Sequence, residues 1–93
     1  IKNIHVGDTP SHVMTLPSND DITIAINGEN GVALIPAGKF EISKILPTQA
    51  AGHTSANPHG HWVSADGKSI VTPNINTGDI GIYGVVLIQS RLA

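Results

Sequence analysis

Apolar and polar residues alternate along this chain in short runs, and almost every run ends at Gly, Pro, Asn or Asp. Ile22-Thr23-Ile24-Ala25-Ile26 shows the period of two most cleanly, and Asp79-Ile80-Gly81-Ile82-Tyr83 repeats it near the C-terminal end. A period of two with β-branched residues and turn-forming punctuation predicts strands joined by tight turns. The predicted strands span 12–16, 22–27, 32–35 and 40–46, then 60–64, 69–72, 79–83 and 85–89. Between them lie turn sequences at 17–20, 27–31, 65–68 and 76–78. Asn27-Gly28 and Asp66-Gly67 suit the positive φ angles of tight hairpins, since Gly has no Cβ and Asn or Asp tolerates that region. No segment keeps a helical period over three turns. The pattern predicts an all-β chain of two successive four-stranded antiparallel meanders.

The two halves also resemble each other. With an offset of 48 residues, Pro10 falls on Pro58, Ile22 on Ile70, Val32 on Ile80 and Leu34 on Ile82. The turn-rich stretches coincide as well, with 16–21 over 64–69 and 27–31 over 75–79. Identities are few; weight comes from apolar positions and turn positions agreeing in the same register. Such a period signals a repeat architecture, in which each unit buries its apolar faces against its neighbours.

The run Asn57-Pro58-His59-Gly60, followed by Ser64-Ala65-Asp66-Gly67-Lys68 and closed by Asn74, resembles the YVTN-type β-propeller repeat. The preceding unit is similar more loosely, through Val6-Gly7, Pro10 and Asn27. The resemblance implies two four-stranded antiparallel blades of a β-propeller: blade one over about 5–47, a linker over 48–57, and blade two over about 58–93. It departs from the repeat at 16–20, which lacks the usual glycine turn, and in the tail 84–93, which lacks the usual turn before an outer strand. The stretch 48–57 reads as an insertion. Pro73 lies where the second strand of blade two should still pair, and proline cannot donate to a ladder, so that strand is expected to end early. A propeller closes with about four to eight blades. The expected partners are therefore further propeller blades or protein subunits completing a larger ring, with the chain beginning at Ile1 read as a piece or processed product.

Composition narrows the function classes. Hydrophobic residues make up 40% of the 93, too many for a disordered segment. Five Lys or Arg stand against seven Asp or Glu, and no basic stripe exists to neutralise phosphates, so no nucleic-acid partner is expected. No apolar run is long enough to span a bilayer as a helix. Cysteine is absent, which removes disulfides, Cys-ligated zinc, iron–sulfur clusters and the thiolate of a blue-copper site. No Gly-x-Ser-x-Gly elbow and no phosphate-binding glycine motif is present.

Five histidines are the one unusual chemical feature: His5, His12, His53, His59 and His61. His59 and His61 are two apart and project to the same side of an extended strand. His53, in the adjoining loop, could fold back towards them. Three converging imidazoles suit zinc or copper, so His53, His59 and His61 are the candidate metal ligands. The structural alternative gives His59 to the repeat consensus, His61 to the surface or the blade interface and His53 to a solvated loop. His5 and His12 are read as structural. Trp62, opposite in facing to His61, is expected to pack between blades, Asp66 to organise its turn, and Tyr83 to pack with a wet hydroxyl.

Three functions follow as expectations. The resemblance implies a propeller module that serves as a binding or scaffold platform in a periplasmic, extracellular or cell-surface protein. The histidines favour a metal-dependent redox propeller domain of the copper or haem type instead. The shortness of the chain favours a self-assembling structural subunit.

Overall fold

The computed structural model describes residues 2–17, 20–47 and 56–84. Within them the chain forms two antiparallel sheets and no α-helix. Strands β1 (Pro10–Thr15), β2 (Ile22–Ile26), β3 (Gly31–Ile35) and β4 (Lys44–Pro47) form the first, in the order β1-β2-β3-β4. Strands β5 (Trp62–Val63), β6 (Ser69–Asn74) and β7 (Asp79–Gly84) form the second, in the order β5-β6-β7. Each sheet draws its strands from one half of the chain, and strands adjacent in sequence are adjacent in space. The strand predicted at 85–89 and most of the segment 48–57 lie outside the described residues.

Turn chemistry sets the hairpins. At 64–69 the Ser64 hydroxyl donates to Asp66 Oδ1 (2.6 Å), which also accepts the Lys68 N–H (2.9 Å), while the Ser69 N–H donates to Ser64 Oγ (3.0 Å). Gly67 completes this turn at φ 73°, where a side chain would be strained. The Ser64 hydroxyl and then the Lys68 amide hold the Asp66 carboxyl below its ordinary pKa. Asp66 is thus a turn organiser, in keeping with its place in the sequence.

Hydrogen bonds of the first unit have counterparts 48 residues on. The Leu16 N–H donates to Asp21 O (2.8 Å), as Ser64 N–H does to Ser69 O (2.9 Å). Asn27 and Gly28 N–H donate to Thr9 O and Asp8 O, as Ile75 and Asn76 N–H do to Asn57 O and Ala56 O. Thr9 and Asn57 share a left-handed φ (55° and 54°), and so do Asn30 and Gly78 (57° and 73°).

Strand β6 runs through Pro73 to Asn74, which corrects the expected early stop. The Pro73 carbonyl still accepts the His59 N–H (3.2 Å). Its missing donor falls on the same side, where β5 pairs only at Trp62 and Val63 besides one bridge from Pro58 to Asn74. Proline is tolerated where a ladder is already interrupted.

The sheets stack face to face. Leu16 and Leu34 of the first meet Val63 and Ile70 of the second in one buried cluster, bordered by Met14 and Leu46. Each such side chain contributes about 1.5–3 kcal/mol relative to exposure, as an upper figure. The other face of the first sheet gathers Ile24, Ile26, Ala33 and Ile35, covered by Ile4, Val6 and Ile42. The outer face of the second sheet is different: Trp62, Ile80 and Ile82 are 69%, 60% and 66% exposed.

Candidate functional site

Strand periodicity decides which histidines meet. Along β1, His12 and Met14 point towards the second sheet, with Leu16 beyond them, while Val13 points away and is exposed. His61 precedes β5 and shares the parity of Val63, so it points back at the first sheet and is buried. Trp62, one residue out of phase with both, takes the opposite face.

The two rings meet edge to face. His12 Nδ1 and His61 Nδ1 are 3.3 Å apart, the ring centroids 5.1 Å apart and the planes at 88°. On its other side His61 Nε2 lies 2.7 Å from Thr23 Oγ1, on β2 of the first sheet. Thr23 Oγ1 is also 3.4 Å from the Met14 carbonyl, which can accept its proton. The His61 backbone N–H reaches His12 Nδ1 at 3.3 Å, a long bond. Further contacts hold the rim: the Ser11 hydroxyl donates to the His59 carbonyl, and the Thr72 hydroxyl to the Gly60 carbonyl.

Two proton arrangements fit these distances. In one, Thr23 donates to Met14 and accepts from His61 Nε2–H, which leaves Nδ1 of His61 unprotonated. In the other, Thr23 donates to Nε2, and His61 Nδ1–H donates to His12. Both keep His61 neutral. Burial first, and then the nearby His12, push its pKa down to about 4, against a smaller opposing effect of the hydrogen bond with Thr23.

An open cavity of about 340 Å³ lies over this pair, lined by His12, His59, Gly60, His61, Trp62, Val71 and Pro73. Of the expected metal ligands, the structure therefore brings His59 and His61 to one cavity, with His61 buried and His59 exposed on its rim. His53 lies outside the described residues. No group of three or more His, Cys, Asp or Glu side chains placed to share a metal occurs among the described residues. His12, read from sequence as structural, is the residue that meets His61. Its shared period with Met14 and Leu16 was the available signal, since those three line one strand face. His5 is exposed. Trp62, expected between blades, is exposed in this chain, and Tyr83 is half-buried, its hydroxyl pKa raised by burial and by Asp79.

No helix among the described residues is long and apolar enough to cross a membrane. Comparison with known proteins found no family model, no curated protein and no solved structure that matches this chain.

Proposed function

We propose that the two sheets are consecutive blades of a β-propeller and that the module works as a rigid binding platform within a larger protein or complex. One observation carries this reading. The face that the first sheet turns to the second holds Met14, Thr23, Val32 and Leu34. At the 48-residue offset the same positions on the second sheet are Trp62, Val71, Ile80 and Ile82, its exposed outer face. Each sheet thus offers its successor an equivalent apolar surface. A contact of that head-to-tail kind closes into a ring when its rotation allows. Because the opposite face of the first sheet is already covered by Ile4, Val6 and Ile42, the receiving sheet is that of a further unit, and copies of this chain by themselves would meet through their bare faces. The extracytoplasmic setting rests on the sequence resemblance alone.

The test is the state of the chain in solution. Sedimentation velocity over a concentration series is expected to show self-association or capture into a larger assembly, abolished by Ile80→Lys with Ile82→Lys. A folded monomer at every concentration, with both substitutions neutral for solubility, would count against the stacking reading. The alternative of a histidine-ligated metal protein is favoured by one separate observation, the meeting of His12 with His61.

A further inference from the structure

We propose that His12 and His61 form a binding site for a divalent transition metal of the Zn²⁺, Ni²⁺ or Cu²⁺ class, with its remaining positions open to the cavity. The site lies wholly within the described residues and does not depend on a further sheet stacking on this chain.

Distance is the first ground. Two metal–nitrogen bonds of about 2.05 Å at the tetrahedral angle hold their nitrogens about 3.35 Å apart. With each nitrogen about 1.15 Å from its ring centre, those bonds set the centroids about 5.2 Å apart. The observed separations are 3.3 Å and 5.1 Å. A collinear N–H···N bond of the same length would put the centroids about 5.6 Å apart. The two observed separations together match two ligands of one tetrahedral ion and do not match a collinear N–H···N bond.

Tautomer is the second. Thr23, hydrogen-bonded onward to the Met14 carbonyl, can accept His61 Nε2–H. That arrangement fixes the ring and leaves Nδ1 bare, the role that outer hydrogen bonds play for metal-ligating imidazoles. His12 Nδ1 is likewise an acceptor, for the His61 N–H at 3.3 Å, a bond long enough to be exchanged for a stronger partner. Two unprotonated nitrogens facing each other across 3.3 Å repel unless a proton or a cation lies near both.

The third ground is that the repeat does not require these residues. At the 48-residue offset, Ser11, His12, Val13 and Thr23 correspond to His59, Gly60, His61 and Val71. Turns and ladders recur in both units while this polar group does not, so the fold alone does not explain it. Imidazole nitrogen suits zinc, nickel and copper, and two such ligands leave room for water or a donor from a bound molecule. His59, on the cavity rim, is a bystander in this site.

Calorimetric titration of the untagged chain with Zn²⁺ near neutral pH tests it. The expected result is one equivalent bound, more than about tenfold weaker in His12→Ala and His61→Ala and about tenfold weaker in Thr23→Val. His53→Ala and His59→Ala should change affinity less than about threefold, within ordinary scatter of the free energy. His12→Gln, which keeps a hydrogen-bonding side chain, serves if the alanine variant unfolds. Independently of any variant, Zn²⁺ should shift the Nδ1 resonances of both His12 and His61 in nitrogen-15 spectra of the native chain. The proposal is overturned by absence of binding, by binding that survives in both the His12 and His61 variants, or by dependence on His53 and His59 without His12. Nitrogen spectra showing His61 Nδ1 protonated and unmoved by Zn²⁺ would overturn it too, in favour of the neutral Thr23–His61–His12 chain.

Discussion

His61 shows how much a single position can decide. It is 3% exposed, sits between two sheets, and has its pKa lowered to about 4. The unfolded chain returns it to about 6.5, so between those values the unfolded state binds the extra proton. The associated stability is therefore complete above about pH 6.5 and is lost as pH falls towards about 4, levelling off below. With a chelator present, urea unfolding at about pH 7.5 and about pH 4.5 should differ by on the order of 2–3 kcal/mol on this account. His61→Gln should flatten that part of the dependence; an unchanged slope would show that His61 is not buried neutral. Spacing to His59 marks His61 in the sequence, but not its partner His12. Spacing along one strand says which residues share a side and nothing about which residue of another strand faces them.

Among the elements, the turn before β3 does more than reverse the chain. Asn30 sits at φ 57°, and its Oδ1 accepts the N–H groups of Ala56 and Asn57 at 2.8 Å each. Asn27 adds a bond from Nδ2 to the Pro58 carbonyl (3.1 Å), and Asn57 Nδ2 returns one to the Asn27 carbonyl (3.1 Å). The first unit thus ties down the start of the second through side chains of its own hairpin turn. Asn30→Gly keeps the left-handed backbone but loses both bonds, and should cost about 2 kcal/mol. Asn30→Ala adds the strain of a positive φ and should cost about 1 kcal/mol more. Thermal unfolding of the two variants orders them; equal melting temperatures would remove the backbone part of the account. The turn itself was legible as Asn27-Gly28-Glu29-Asn30-Gly31, whereas its docking role was not, because a side-chain amide looks the same whether it faces water or another loop. Pro73 misled for a related reason: whether a missing donor matters depends on what lies beside the strand.

At the scale of the molecule, the stacking direction leaves one apolar face covered and one bare. Trp62, the chain's one tryptophan, marks the bare face at 69% exposure, at the position where Met14 borders the buried cluster one unit earlier. Its emission should be that of a solvated indole in dilute solution and readily quenched by iodide. On occupation of that face it should shift to shorter wavelength and lose quencher access. A blue, protected emission at every dilution would mean that Trp62 is covered within the chain and that the bare face does not exist. The expectation that Trp62 packs between sheets is not met in this chain, where the residue is on the surface.

The all-β class, the turn positions and the 48-residue correspondence were determined by the sequence itself, because period, β-branching and turn residues act over a few neighbours and need no partner to be read. Strand ends were not, as β4 at Lys44–Pro47, β5 at Trp62–Val63 and the run of β6 through Pro73 show. The meeting of His12 with His61, the anchoring by Asn30 and the exposure of Trp62 were decided only by tertiary structure. Each depends on which face of one sheet rests on which face of the other, and that choice is made by buried apolar contacts between residues far apart in the chain.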